Sequence, residues 1–270
     1  MLKAESSWLD LRCLEALSSQ TAFIQQLHPT TKLLTTLLFL LTIASFNKYE
    51  LSALLPLCLY PIGLCALGGI PPAVIAKRLV LAAPVVLMLG LFNPFFDQSV
   101  YILPGEIAIS KGWISFGVIA CKLLFSVSAS LLLIATTGLQ PLCAALRTLG
   151  CPKALVVQLL FLYRYLHLLL EESSRILLAY RMRSFQGNAI AMHAWGSLLG
   201  QWLLRSMERA ERIYQAMRCR GFNGEMPANL LPSWRNLDTG YFLAWSAFFL
   251  LCRQFNLPLI LGSLVTGGAP

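Results

Sequence analysis

Long apolar stretches alternate with short polar connections in the first half of the chain, and one more apolar stretch lies near its end. A helix needs about 20 apolar residues to cross the hydrocarbon core of a bilayer. The pattern predicts five spans, at Thr31–Phe46, Leu51–Leu67, Leu79–Phe96, Trp113–Leu133 and Tyr241–Leu257. The stretch GGIPPAVIAKR, residues 68–78, is predicted to be a loop that leads into the third span.

The composition supports a membrane protein. Hydrophobic residues make up 57% of the chain and charged residues only 12%, far from the balance of a soluble domain. The acids between Lys32 and Leu170 are Glu50, Asp97 and Glu106. The first twenty residues mix acids, arginine and serine without an apolar core, so we expect a cytoplasmic lead-in rather than a cleaved signal. The expected fold class is an all-α integral membrane protein with about five transmembrane helices.

A basic stretch of about one hundred residues separates the fourth predicted span from the last. From Arg147 to Arg235 it holds twelve basic residues and five acids. We therefore predict three parts: residues 1–138 with four spans, residues 139–238 as a helical domain facing the cytoplasm, and residues 239–270 with the final span. In this orientation the N-terminus is cytoplasmic and the C-terminus lies outside, following the bias of lysine and arginine towards the cytoplasm. The cytoplasmic group is Lys32, Lys77, Arg78, Arg147 and Lys153, and the opposite group is Lys48, Lys111 and Arg253.

A segment of this basic domain occurs twice. Glu171–Gly187 and Glu208–Gly224 share the pattern E-x3-R-I-x2-A-x-R-x-R-(S/G)-F-x-G, with eight of seventeen positions identical. Each copy is predicted to be a helix, because the acid and arginine at its start are an i,i+4 pair in the favourable order. In the second copy the residues Leu203, Met207, Ala210, Tyr214 and Met217 have the 3–4 spacing of one apolar stripe.

The end of each repeated helix carries arginines. Gly221 is predicted to supply the left-handed residue that ends the second helix, and the first helix is predicted to end near 184–187. Single arginines near a membrane commonly contact lipid phosphate. Solvation does not explain why the same arginine-tipped segment occurs twice. Two equivalent segments suit two equivalent sites on a symmetric partner.

The repeat and LHPTTKLL at 27–34 resemble the transmembrane coupling subunit of energy-coupling factor transporters, most closely the CbiQ/NikQ subgroup of cobalt and nickel uptake. His28 stands where that family usually has an acid. The resemblance implies two cytoplasmic coupling helices that cross in an X, with tips that dock into two ABC-type ATPase subunits. It also implies a separate substrate-binding membrane subunit. The docking residues carried over by position are Met182, Arg183, Ser184, Cys219, Arg220 and Gly221.

The chain has no P-loop, so ATP hydrolysis is expected in the partner subunits and no catalytic residue or cofactor is expected here. The histidines and cysteines have no metal-site spacing, so no metal site is expected, and no aromatic platform suggests nucleic acid. Two hypotheses stay open. One is a non-catalytic coupling subunit in the plasma membrane that serves cobalt or nickel uptake. The alternative is a membrane scaffold whose basic helices bind anionic lipid or an acidic soluble protein. Surface changes such as Arg205→Ala are expected to do little.

Overall fold

The computed structural model describes residues 24–47, 49–90, 100–102, 108–183, 192, 194–224 and 232–255. It confirms an all-α membrane protein. The chain divides into two compact units. The first unit comprises Met1–Ala145 and Leu231–Pro270, and the inserted unit comprises Leu146–Leu230. The assignment of residues 139–238 to the cytoplasm stays a prediction.

The helices are named here in chain order. They are α1 (Pro29–Ser45), α2 (Leu51–Leu54), α3 (Leu59–Gly68), α4 (Pro72–Gly90), α5 (Lys111–Thr137), α6 (Leu139–Thr148), α7 (Lys153–Arg183), α8 (Ala194–Cys219) and α9 (Asn236–Gln254). A 3₁₀ turn at Leu55–Cys58 joins α2 to α3. It begins next to Pro56, which has no N–H to continue the α-helical ladder.

The predicted loop at 68–78 is much shorter in the structure. Gly69 adopts the left-handed conformation (φ +62°) and caps α3, and α4 begins at Pro72. Proline is well suited to the first position of a helix, since the N–H that it lacks would have no partner there. Pro72 therefore begins a helix, and the loop prediction was wrong from Pro72 onwards.

The structure adds a small ribbon that the sequence analysis did not predict. Strand β1 (Val100–Ile102) pairs antiparallel with β2 (Ala108–Ser110), with Tyr101 opposite Ile109. Three-residue strands are too short to leave a recognisable alternation of apolar and polar residues.

Three helices in the described ranges are long and apolar enough to cross a membrane: Leu51–Gly68, Lys111–Thr137 and Lys153–Arg183. Pro29–Ser45 is a shorter apolar helix. The first two correspond to predicted spans. The third, α7, was assigned to the cytoplasmic domain, and its first half is apolar while its second half carries charged residues.

Aromatic side chains fill the core of the first unit. The ring of Phe39 on α1 lies 4.5 Å from the ring of Tyr60 on α3 and 5.4 Å from that of Phe249 on α9. Trp245 meets Tyr60 edge to face at 4.9 Å. These contacts join the first, second and last predicted spans into one body.

Contacts at the two ends of α1 fix the directions of its neighbours. At its start, His28 is hydrogen bonded to Asp238, the third residue of α9, and at its end Ser45 accepts a bond of 3.1 Å from Arg253 near the end of α9. The two helices therefore run parallel. Lys32 donates to the carbonyl of Thr136 at the end of α5, and Lys122, nearer the start of α5, donates to the carbonyl of Phe46, so α5 runs antiparallel to α1 and α9. As a result, α5 ends and α9 begins at the same end of the first unit.

His28, which stands where the resembling family usually has an acid, caps the start of α1. Its Nδ1 accepts the backbone N–H of Thr30 at 3.3 Å, and Pro29 follows as the first residue of α1. A ring nitrogen thus replaces a carboxylate oxygen as acceptor for an N–H that has no partner within the helix. Its ring also packs against Trp234, with centroids 5.0 Å apart.

Candidate docking surface on the paired helices

The inserted unit contains both copies of the repeat, and each copy lies at the end of a long helix. Copy one occupies the end of α7, of 31 residues, and copy two the end of α8, of 26 residues. The helix predictions for both copies are confirmed. Basic residues fill the last turns, Arg181 and Arg183 on α7 and Arg218 on α8, where they oppose the negative end of the helix dipole.

Equivalent residues of the two copies have nearly the same surroundings. Arg175 lies 3.9 Å from Glu171, and Arg212 lies 3.8 Å from Glu208. The exposed fractions of the side chains are 73% and 62% in the first pair and 70% and 66% in the second. The two predicted i,i+4 pairs are therefore confirmed, and both face outwards.

A third acid behaves differently. Glu172 is only 15% exposed, and its two carboxylate oxygens each bind an arginine of α8 at 3.1 Å, Oε1 to Arg205 and Oε2 to Arg209. The sequence analysis did not single out Glu172, and it did not predict that Arg205, which is 57% exposed, binds an acid of the neighbouring helix. The expectation that Arg205→Ala does little stays a prediction.

The tip of α8 has the hydrogen bonds of a Schellman motif. Gly221 has φ +79°, its N–H donates to Arg218 at 3.0 Å, and the N–H of Phe222 donates to Met217 at 3.0 Å. These bonds satisfy carbonyl groups that the end of a helix leaves without partners. The prediction that Gly221 ends the second helix is confirmed, and Cys219 and Arg220 are exposed immediately before it.

The phenylalanine of the second copy packs inwards. The ring of Phe222 lies 6.1 Å from that of Phe161 on α7, in the same unit. Turned back by the Schellman bonds, Phe222 anchors the tip while the neighbouring Arg220 stays exposed. The shared Arg-x-Arg-x-Phe pattern therefore has a structural residue beside its charged ones.

The tip of α7 is described only as far as its last helical residue. Met182 and Arg183 are exposed at this end. Ser184, together with Phe185 and Gly187 of the shared pattern, lies outside the described residues. Of the six predicted docking residues, five are thus placed on exposed helix ends, and their role in docking stays a prediction.

The predicted apolar stripe of α8 does not form the contact with α7. Four of its five members, Leu203, Met207, Ala210 and Tyr214, are exposed, and the fifth, Met217, is half-buried. Trp202, Arg209 and Ile213 on the neighbouring side are also half-buried. Ile176, the counterpart of Ile213, is buried on α7. The apolar arc of α8 is wider than one contact needs, and part of it is not covered by the described residues.

Within the described ranges, no three residues among the histidines, cysteines and acids lie close enough together to hold a metal ion. A cleft between α7 and the start of α8 is lined by apolar side chains, including Trp195, Leu198 and Trp202. Its lining offers one hydroxyl, that of Ser173, and no charged group. The distinctive chemistry of this unit is therefore the pair of exposed arginine tips.

Comparison with known proteins places this arrangement among the membrane components of transporters. Residues 20–229 match the sequence model of CbiQ, described as a cobalt transport protein. The chain belongs to this family. It is 35% identical over 89 residues to the nickel permease LarQ of Lactiplantibacillus plantarum, a match that covers 33% of each chain. It is 28% identical over 145 residues to the uncharacterized protein MJ1089 of Methanocaldococcus jannaschii, covering 53% of each. The matched regions thus span between a third and about half of these relatives.

Proposed function

We propose that this chain is the non-catalytic coupling subunit of an energy-coupling factor importer in the plasma membrane. In this role it transmits ATP-driven movement from two ABC-type ATPase subunits to a separate substrate-binding membrane subunit. The observation that carries the proposal is the pair of equivalent helices with exposed arginine ends. Membership of a cobalt transport family supports it. The sequence has no P-loop, so the energy comes from the partners.

Docking requires both arginine tips on the cytoplasmic side, and the directions of the helices favour this. Because α5 ends and α9 begins at one end of the first unit, the chain between them crosses the membrane an even number of times. If α7 crossed, another helix would have to return before residue 236. The described helix available is α8, which from its middle onwards carries the charged residues Arg205, Glu208, Arg209, Glu211, Arg212 and Arg218. Charged residues at the bilayer centre are costly, so we infer that neither helix crosses.

Arginine fits a docking tip because its planar guanidinium can bind a carboxylate with two parallel hydrogen bonds. Arg183 and Arg220 are each exposed at a helix end. Met182 and Cys219 precede them, and Gly221 turns the chain away after Arg220. The two tips are therefore suited to insert into grooves on two copies of one partner.

The proposal is tested by replacing the two arginines in the complete transporter. Truncating a charged residue in a buried contact costs about 2–5 kcal/mol. Arg183→Ala or Arg220→Ala should each lower uptake and transport-coupled ATP hydrolysis at least tenfold. Lysine should restore only part of the activity, and the double alanine variant should lose the ATPases on purification. Arg175→Ala is the control, because Arg175 is 73% exposed, is bound only to Glu171 of its own helix, and lies two turns before the end of α7.

Two outcomes would overturn the docking role. If both single alanine variants transport at the parent rate with the ATPases bound, the repeat is only structural. If lysine replaces arginine without loss, and binding follows the content of anionic lipid in vesicles, the alternative of a lipid-binding scaffold is favoured.

The substrate is proposed to be cobalt or nickel. This rests on the family and on the printed name of the relative LarQ, a nickel permease. Accumulation of radioactive Co²⁺ and Ni²⁺ by cells that express the complete complex tests it. Uptake of a vitamin without uptake of either metal would contradict it.

A further inference from the structure

The register of the repeat gives Glu172 an unusual position. The two copies are offset by thirty-seven residues, as Glu171 and Glu208 show, so Glu172 and Arg209 occupy the same place in the two copies. These two residues also touch, with Oε2 of Glu172 3.1 Å from Nη2 of Arg209. The two helices therefore meet at equivalent positions.

The surroundings of the other shared residues agree with this symmetry. The outward pairs of the two copies have matching distances and matching exposure, and Ile176 and Ile213 both face the contact between the helices. Two similar segments that contact each other through equivalent positions are related by an approximate two-fold axis. That axis passes close to Glu172 and Arg209.

A two-fold axis explains why the two copies carry different residues at this position. Identical residues on the axis would face each other, and two like charges at this distance repel. The sequence instead has an acid in one copy and an arginine in the other, while Glu171 and Glu208, which face outwards, are identical. Glu172 also binds Arg205, which lies one turn before Arg209 on α8. One carboxylate therefore contacts two successive turns of the opposite helix.

We propose that Glu172, held by Arg205 and Arg209, is a positioning residue that fixes the register in which α7 and α8 pack against each other and so sets the separation of the two arginine tips. The consequence for coupling rests on the proposed function, but the packing geometry does not. A contact fixed at one point on each helix sets the distance from it to Arg183 along α7 and to Arg220 along α8. Loss of the pair would leave each tip intact and change only their spacing.

Pulsed electron–electron double resonance on the full chain in lipid nanodiscs, without ATPases, measures this spacing. Spin labels are attached to exposed Cys219 and to Met182→Cys, with the other cysteines replaced. Glu172→Arg should shift the mean distance between the labels or broaden its distribution at least twofold. The new arginine would then face Arg205 and Arg209 at this contact between the helices. Glu172→Gln should give a smaller change in the same direction. Glu172→Arg with Arg209→Glu should restore the parent distribution, because the opposite charges return in swapped places.

Glu171→Arg is the matched control. It makes the same charge change one residue away, on a side chain that is 62% exposed and bound within its own helix, and the distance distribution should stay as in the parent. The proposal is wrong if Glu172→Arg leaves the distribution unchanged, or if the swapped variant is as disturbed as the single one. Since no ATPase is present, this result is independent of whether the tips dock. In the complete complex, Glu172→Arg should lower coupled ATP hydrolysis while both ATPases stay bound, in contrast to the loss expected when both arginine tips are removed.

Discussion

The carboxylate of Asp238 accepts the backbone N–H of His28 at 2.8 Å, although the two residues are 210 positions apart in the sequence. The other carboxylate oxygen accepts the N–H of Arg235, also at 2.8 Å. One side chain thus satisfies backbone donors at the start of two helices, α1 and α9. Through these bonds Asp238 joins the two chain segments of the first unit, which the inserted unit separates in the sequence.

Asp238→Ala is expected to destabilise the first unit strongly. Asp238 is 2% exposed, and its loss leaves two backbone donors without their charged acceptor and buried Lys32 without a nearby opposite charge. Removing one partner from such a buried arrangement costs about 3–5 kcal/mol. The melting temperature of the purified protein in detergent should fall accordingly. Thr239→Ala serves as control, since the exposed Thr239 hydroxyl bonds only within its own turn. Equal melting temperatures for the two variants would contradict the role of Asp238.

Gly221→Ala is expected to loosen the tip of α8. A Cβ at this position would meet no atom within 4 Å, so the cost is that of the backbone at φ +79°, about 1–2 kcal/mol. Amide exchange of Gly221 and Phe222, whose N–H groups close the turn, should accelerate about five- to thirtyfold. Gly200→Ala adds the same methyl inside α8, also in open space, and should slow exchange because alanine favours a helix. A change of the same sign in both variants would show that the left-handed turn is unimportant.

The structural features that could be predicted from the sequence are those that depend on the spacing of nearby residues. The outward pairs Glu171–Arg175 and Glu208–Arg212 follow from their separation of four residues, and the turn at Gly221 follows from the position of a glycine after a helix. The five predicted spans correspond to helices within the described residues, with boundaries that differ by several residues. These features need no knowledge of which segments meet.

The rest depends on contacts between distant segments. The bond from His28 to Asp238 could not be predicted, because nothing in either segment indicates the other. Which side of α8 packs on α7 was also missed, since its apolar arc is wide enough for two contacts. Glu172 could have been found from the sequence, because the repeat places an acid and an arginine at equivalent positions.

The cytoplasmic location of α7 and α8 is tested by labelling from each side of the membrane. Met182→Cys and native Cys219 should react with an impermeant maleimide from the cytoplasmic side in inverted vesicles. Asn47→Cys, at the opposite end of α1 from His28, should react only from the other side. If Met182→Cys and Asn47→Cys were labelled from the same side, α7 would cross the membrane and the docking proposal would fail.

The exposed apolar stripe of α8 is expected to be covered by the substrate-binding subunit in the assembled transporter. Leu203, Met207 and Tyr214 follow one another around successive turns, and contiguous apolar surface of this kind marks an interaction site. Burying one such side chain contributes about 1.5–3 kcal/mol. Leu203→Gln with Met207→Gln should therefore lower retention of the substrate-binding subunit at least tenfold, since about 1.4 kcal/mol corresponds to tenfold.

The matched control for this stripe is the next residue in the chain. Leu204 is 63% exposed and Leu203 is 59% exposed, but Leu204 lies on the charged side of α8. Leu204→Gln removes the same apolar side chain from a surface that we expect to face water, so retention should not change. Co-purification of tagged subunits measures retention, and the ATPases should stay bound in both variants because the arginine tips are untouched. If Leu204→Gln weakens assembly as much as Leu203→Gln with Met207→Gln, the stripe has no specific partner and its exposure reflects only the width of the apolar arc.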